Sequence, residues 1–346
     1  FVQSFGPVSN PNPDLKWETK EEFNIGLDYE LFQSRMSGTV EFYSQDTEDL
    51  LFPIQVSVPP NLFPTTWENI GALDNSGVEI SITGNVVSND KWNWNSTVNS
   101  TIFGDTELTE FVSGDSRFIS NAGAPGLNET DLIRVVEGGL IGAIWGPEFS
   151  RFADDGGETI DGVDVGSGAF VCLDPEGNEF ACANTSRERE QVLGNGLPDW
   201  QFGFTNDVSY QNFDFSLFIR GVFGHDLANT TRLFNEPLGR LGDTNLLSSA
   251  KDLPARAANV QPRFTSRVVE DAGFLRIQNL TLGYTMPFFD DNSSIKRFRV
   301  YVSANNLATI TNYNGVDPTP RFFDVGPVDN GAEAPAVGDP SVIGGA

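Results

Sequence analysis

The 346 residues read as an all-β chain, part of a transmembrane antiparallel β-barrel. Apolar and polar residues alternate with a period of two over runs that often exceed ten residues, whereas soluble strands average about 5–6. The connections between runs are alternately short and long. Abundant Phe (28), Gly (35) and Pro (20) fit strands punctuated by turns.

The runs follow in order. Between Trp17 and Leu31, Phe23, Ile25, Leu27, Tyr29 and Leu31 alternate with Asn24, Asp28 and Glu30. After a short turn at 32–35, Gly38, Val40 and Phe42 oppose Thr39 and Glu41. Val78, Ile80, Ile82 and Val86 oppose Glu79, Ser81, Thr83 and Asn85. Trp92, Trp94, Val98 and Ile102 oppose Asn93, Asn95, Thr97, Asn99 and Thr101. Trp200, Phe202, Phe204, Val208 and Tyr210 precede a turn, and Phe213, Phe215, Leu217, Ile219 and Phe223 follow it. A last clear run carries Phe298, Val300 and Val302 against Arg297, Arg299, Tyr301 and Ser303.

Short turns are expected at 32–35, 88–91, 210–212 and 288–294, with long polar stretches at 50–66, 114–130, 174–196, 225–270 and 312–346. Loop length segregated by edge marks an outer-membrane barrel, with brief periplasmic turns and extended outer loops. Trp92, Trp94, Tyr210 and Tyr284 sit near the short turns, where amphipathic rings favour the water–lipid boundary. About ten strands are expected, in one unit spanning 1–346. The final stretch supplies no closing strand, and an open edge is not viable in lipid. Strands before Phe1 and after Ala346 are therefore expected. The chain also opens on Phe1-Val2-Gln3-Ser4 with no basic n-region or Met, as in a mature or partial chain.

Composition excludes other classes. With 21 basic and 48 acidic residues the net charge is −27, which argues against nucleic acid. No run reaches the roughly 18 apolar residues of a membrane-spanning helix. A single histidine, His225, leaves no Ser-His-Asp relay or multi-His metal site. No P-loop, dinucleotide glycine pattern or nucleophile elbow occurs, so an enzyme is not expected.

Several segments resemble a known family. Asn10-Pro11-Asn12-Pro13-Asp14-Leu15-Lys16-Trp17-Glu18-Thr19, Glu68-Asn69-Ile70-Gly71 and Asn75-Ser76-Gly77-Val78 are similar to segments of SusC/RagA-type TonB-dependent transporters of Bacteroidota. So are Gly194-Asn195-Gly196-Leu197-Pro198-Asp199-Trp200, the run Phe274–Pro287, and Arg299–Leu307 with Tyr313-Asn314-Gly315-Val316-Asp317-Pro318. The matches follow family order over nearly the whole chain. The resemblance implies a 22-stranded barrel with an N-terminal plug, of which this chain holds strands 12 to 21. It also implies uptake of a large nutrient, oligosaccharide or peptide, across the outer membrane. Energy would come from TonB through the plug region, and a SusD-like surface lipoprotein would act as partner. The alternative is a non-transporting barrel that serves as a structural subunit beside other envelope-complex proteins. A soluble secreted adhesin is the third reading.

Individual residues offer few sites. Cys172 and Cys182 flank a Pro-Glu-Gly-Asn turn signal; a disulfide there would contribute about 2–3 kcal/mol, the other reading being two free thiols. The acidic run Asp154-Asp155-Gly156-Gly157-Glu158 with Asp161 and Asp164 has the oxygen-rich chemistry of calcium, though not the EF-hand spacing, and the alternative is a solvated loop. No other cofactor is expected. Asp290-Asp291-Asn292 reads as a turn former, and the sequons at Asn128 and Asn229 carry no weight in a bacterial barrel. Arg220, Arg276, Arg297 and Arg299, with Asp207 and Asp214, fall on the lumen face, and His225 is expected exposed at the outer rim.

Overall fold

The computed structural model describes residues 9–111, 132–134, 136–154, 156–237, 242, 245–253, 263–287, 295 and 297–319. A ten-stranded antiparallel sheet dominates it. Eight strands form a wall in which each bonds to the next in chain order: β1 (Thr19–Leu31), β2 (Met36–Gln55), β3 (Thr65–Ser88), β4 (Trp92–Phe103), β5 (Trp200–Tyr210), β6 (Phe213–Phe223), β7 (Phe274–Thr285) and β8 (Arg299–Thr311). Two short strands complete the ten: Glu107–Phe111, which pairs with β3, and Gly139–Leu140, which pairs with Glu107–Phe111. The ten-stranded sheet meets the expected number, and among the described residues eight of its strands run the length of the wall.

Turn chemistry sets the short edge. The carbonyl of Phe32 accepts from Arg35 N, and Phe32, Gln33 and Ser34 all take left-handed φ. Asn89 Oδ1 accepts from the backbone N–H of Lys91 and of Trp92, both at 3.0 Å, an Asx turn that launches β4. The β5–β6 hairpin turns on Gln211 and Asn212, with Gln211 left-handed. The expected turn at 288–294, with Asp290–Asn292, lies outside the described residues, as does Asn128.

Register fixes the two faces. Leu31, Met36, Gly84, Ser96, Asn206, Leu217, Leu280 and Ala304 are successive cross-strand partners. Because side chains alternate, a shift of one residue would invert both faces. Three glycines let aromatic rings lie across the neighbouring strand: Tyr29 over Gly38, Tyr43 over Gly77 and Phe202 over Gly221, each pair in direct register. A Cβ at any of these glycines would collide with the ring.

Two sequence expectations need correction. The stretch 50–66 is not a long loop, because β2 continues to Gln55 and β3 starts at Thr65, leaving only 56–64. The cause is apolar packing: Leu50, Phe52 and Ile54 close over buried Ile70 and Leu108. The expected stretch at 114–130 lies outside the described residues, and the described parts of the connections between β4 and β5, and between β6 and β7, are built rather than loose. They contain short strands, among them a three-stranded sheet of Glu148–Phe152, Phe170–Leu173 and Glu179–Ala181. Their described residues also include an α-helix, α1 (Thr230–Asn235), capped by the Asn229 side chain accepting from Arg232 N at 2.9 Å. Leu132, Ile144, Leu233, Phe264 and Val268, drawn from both connections, share one buried cluster. These connections thus form a packed rim at the long-loop edge.

Candidate functional site

One face of the wall is apolar and exposed: Ile25, Leu27, Phe213, Leu282 and Val302 are all at least half exposed. An uncovered oily sheet of this extent requires a non-aqueous neighbour. Aromatic groups bound it at both ends. At the short-turn end Trp92 meets Tyr210 (ring centroids 4.2 Å) and Phe213 meets Tyr284 (4.7 Å), all in one cross-strand row. Trp94 lies one row inward and donates from Nε1 to Asn206 Oδ1 at 3.1 Å.

At the rim end Trp200 stacks on Phe223 (5.3 Å) with Phe202 beside it (5.0 Å). Trp200 and Tyr210 are the two ends of β5, ten positions apart. At ~3.4 Å per residue this is ~34 Å along the strand. With a tilt of about 40°, it is ~26 Å along the barrel axis, against an apolar band of about 25 Å on outer-membrane barrels. The sequence reading missed the rim group. The available signal was symmetry, since Trp200 and Phe223 stand equally far from the β5–β6 turn.

The opposite face is polar, mixing amides and hydroxyls with carboxylates such as Asp28, Glu30 and the direct cross-strand pair Glu41 and Glu79. Ser81 Oγ donates to Asn99 Oδ1 (2.8 Å), Thr83 and Thr97 hydroxyls meet at 3.1 Å, and Asn279 Nδ2 donates to Asn305 Oδ1 at 2.8 Å. Such cross-strand polar pairs stabilise the ladder without burying charge. Asp214 is paired with Arg299 on this face. Asp207 is exposed opposite Ser216, and Arg297 is exposed just before β8. Arg220 stands directly opposite Arg276.

The rim is held by ions. Glu236, almost fully buried, takes Arg232 Nε at 3.2 Å and is paired with Arg267. Burial alone would push its carboxyl up, but the bonds from Arg267 and Ser249 and the two arginine charges hold it below the usual carboxylate range. Glu270 accepts from Arg232 Nη1 at 2.9 Å and from Asn314 N at 2.8 Å. It thereby ties α1 to the strap, residues 312–319, that follows β8. The strap folds back onto β7, where Asp317 Oδ1 accepts from Arg276 Nη2 at 2.7 Å.

His225 is a correction: it is buried, not an exposed loop residue. Its ring lies edge-on to Phe274 at 6.4 Å, and Nε2 is 3.4 Å from the Pro318 carbonyl of the strap. The structure joins Cys172 to Cys182 with a Cα–Cα separation of 5.2 Å, across the turn 174–178. In the acidic loop, arginines engage the carboxylates. Glu158 accepts from Arg151 Nη1 (2.7 Å) and Nη2 (3.0 Å), and Asp161 accepts from Arg189 at 2.7 Å. The Arg151 bonds, with the Asp154 backbone N–H, hold the Glu158 carboxyl below its ordinary range. Asp155 lies outside the described residues, and among those described no three acidic, His or Cys side chains converge as a metal site.

The family-like motifs prove to be brackets. Asn10, buried, donates through Nδ2 to the carbonyls of Phe63 (2.7 Å) and Thr65 (2.8 Å) and accepts at Oδ1 from Leu62 N and Phe63 N. Asn69 exchanges bonds with the Lys16 backbone. Asn306 takes a left-handed φ of 50° at the irregularity where β7 and β8 lose register, a conformation asparagine tolerates.

A wall with an apolar outer belt, a polar inner face and a structured rim defines a transmembrane β-barrel of the outer-membrane kind. The chain belongs to the TonB dependent receptor-like β-barrel family, whose model matches residues 2–307. The TonB-dependent receptor P3 of Formosa agariphila is 32% identical over 90% of this chain and 31% of its own length. The TonB-dependent receptor SusC of Bacteroides thetaiotaomicron is 27% identical over 92% of this chain and 31% of its own. Among solved structures, the RagAB peptide importer in its open-open state aligns at 25% identity with a TM-score of 0.73, covering 92% of this chain and 34% of that one. The chain thus spans about a third of the length of the relatives it matches.

Proposed function

We propose that this chain is the C-terminal wall and rim of an outer-membrane transporter that imports a large nutrient, an oligosaccharide or a peptide. A SusD-like lipoprotein would sit on the rim, and TonB would drive the cycle through a plug that these residues do not include. Family membership and the likeness to SusC and to the RagAB peptide importer support this reading. The observation that carries it is the polar face: amides, hydroxyls and charged side chains of several strands present hydrogen-bonding groups to a wet interior, opposite the apolar belt. Trp92, Trp94, Tyr210 and Tyr284 would mark the periplasmic lipid boundary, and Trp200 with Phe223 the outer one. The role is binding and gating, with no covalent chemistry assigned to any residue.

The test is purification of the native assembly, followed by mass spectrometry of its chains and bound solute and by uptake assays in cells with and without the gene. A co-purifying surface lipoprotein and gene-dependent, TonB-dependent uptake are expected. An assembly with other envelope subunits and no gene-dependent uptake would instead establish the scaffold reading.

A further inference from the structure

We propose that Arg263 and Thr265 form a carboxylate-binding site in the outer rim, which takes the free C-terminal carboxylate of an imported peptide. The proposal rests on the transport reading and selects peptide over oligosaccharide as the solute. This part of the rim is a basic island in an acidic protein. Residues 230–267 carry six basic side chains against three acidic ones, whereas the whole chain stands at −27. Within the island Arg232, Arg263 and Arg267 line one small cavity together with Glu236 and Thr265. Two of these guanidiniums are already answered. Arg232 and Arg267 both pair with Glu236, and Arg232 also reaches Glu270 at 2.9 Å. Arg263 is partly buried and has no carboxylate partner among the described residues.

Thr265 points the same way independently. It is only 1% exposed, yet its hydroxyl has no hydrogen-bond partner among the described residues. Buried hydroxyls are normally paired, so this one calls for an acceptor from outside the chain. A water would satisfy the hydroxyl but leave the Arg263 guanidinium without a counter-charge. A carboxylate answers both, taking the guanidinium fork and one hydroxyl proton. Phe264, between the two, turns into the buried cluster around Leu233 and anchors the segment that carries them. Size and lining then choose the kind of carboxylate. The cavity measures about 20 Å³, room for roughly one or two water-sized groups, so it admits two carboxylate oxygens but no sugar ring. Leu233, Leu253 and Val268 make its neighbouring walls hydrocarbon. A uronate would press ring hydroxyls against them and lose hydrogen bonds, whereas the last residue of a peptide brings an apolar side chain beside its carboxylate.

The experiment measures binding to the full-length protein by calorimetry, with acetyl-Ala-Ala-Leu bearing a free carboxylate, its C-terminal amide and tri-galacturonate as probes. The acid peptide is expected to bind about tenfold or more tightly than the other two, the worth of one hydrogen-bonded charge. Arg263→Gln should abolish that preference, and Arg263→Lys should restore part of it. Thr265→Val, which keeps the volume but not the hydroxyl, should weaken the acid peptide several-fold. Neither Arg263→Gln nor Thr265→Val should lower the melting temperature, because neither group has a partner within the chain to lose. Equal affinity for acid and amide, or tighter binding of tri-galacturonate, would overturn the site. So would an acid preference that survives Arg263→Gln, or a Thr265→Val protein that melts lower, which would give the hydroxyl a structural partner such as a buried water. Gene-dependent uptake of a solute without a carboxylate, unaffected by Arg263→Gln, would remove the site and leave the transport reading standing. Acid-selective binding without any uptake would do the reverse.

Discussion

The wall and the rim solve opposite problems. In the wall, side chains such as Ile25 and Val302 stay exposed, and order comes from unbroken backbone ladders such as Trp92↔Tyr210 through Ile102↔Trp200. Its stability is completed by what lies outside the protein. The rim carries its own small cores, around Leu233 and Phe264 and around Cys172 and Phe180, and an ionic network centred on buried Glu236. A barrel can therefore vary its rim without re-registering its wall. The two parts should also fail independently.

The largest separation should come from Glu236→Ala. Removing one member of a buried ion pair costs about 3–5 kcal/mol, and here two arginines lose their partner. Limited proteolysis should cut the rim near α1, while hydrogen exchange in β4–β6 stays slow. Equal loosening of β5 would refute the independence. In the wall, Leu217→Arg places a charge on the apolar face near mid-height and should cost about 2–4 kcal/mol in folding into lipid. At Ser216, on the other face, the same change should cost under about 1 kcal/mol. Urea titration in liposomes distinguishes the two.

Replacing both Cys172 and Cys182 with Ser should cost the rim about 2–3 kcal/mol and leave the wall's melting unchanged. The smallest effect comes from acid. Because Glu236 titrates below its unfolded value, its contribution is present above the ordinary carboxylate range and is lost as pH falls through the depressed folded value. Rim proteolysis should therefore rise below about pH 4, and Glu236→Gln should remove that step. A step that survives in this variant would place the acid sensitivity elsewhere.

Legibility in the sequence divides along the same line. In Phe213–Phe223 and Trp200–Tyr210 the period of two dominates, despite Asn206 on the apolar face and Phe218 and Val222 on the polar one, because each strand meets lipid on one side and a wet interior on the other. The faces and short turns could therefore be read directly. The rim residues carry no such period. Leu132, Ile144 and Phe264 come from separate segments and find one another only in three dimensions, so the stretches holding them read as polar loops. His225 misleads for a related reason, since the Pro318 strap that covers it lies far along the chain. Leu50–Ile54 read as the start of a loop because Asp49 and Pro53 interrupt the alternation, whereas packing on Ile70 keeps the strand going. The Arg220–Arg276 juxtaposition was half visible. Both arginines could be assigned to the inner face, but their being opposite depends on the register shifts within the β6–β7 pairing.

The flat rings over Gly38, Gly77 and Gly221 bear on how such a wall is assembled. A slip of two residues would preserve which side is oily, so hydrophobicity alone does not forbid it. It would, however, drive Tyr29 into Val40 or Met36 in place of a bare backbone. Each glycine thus works as a keyway that admits only one alignment as neighbouring strands zip together.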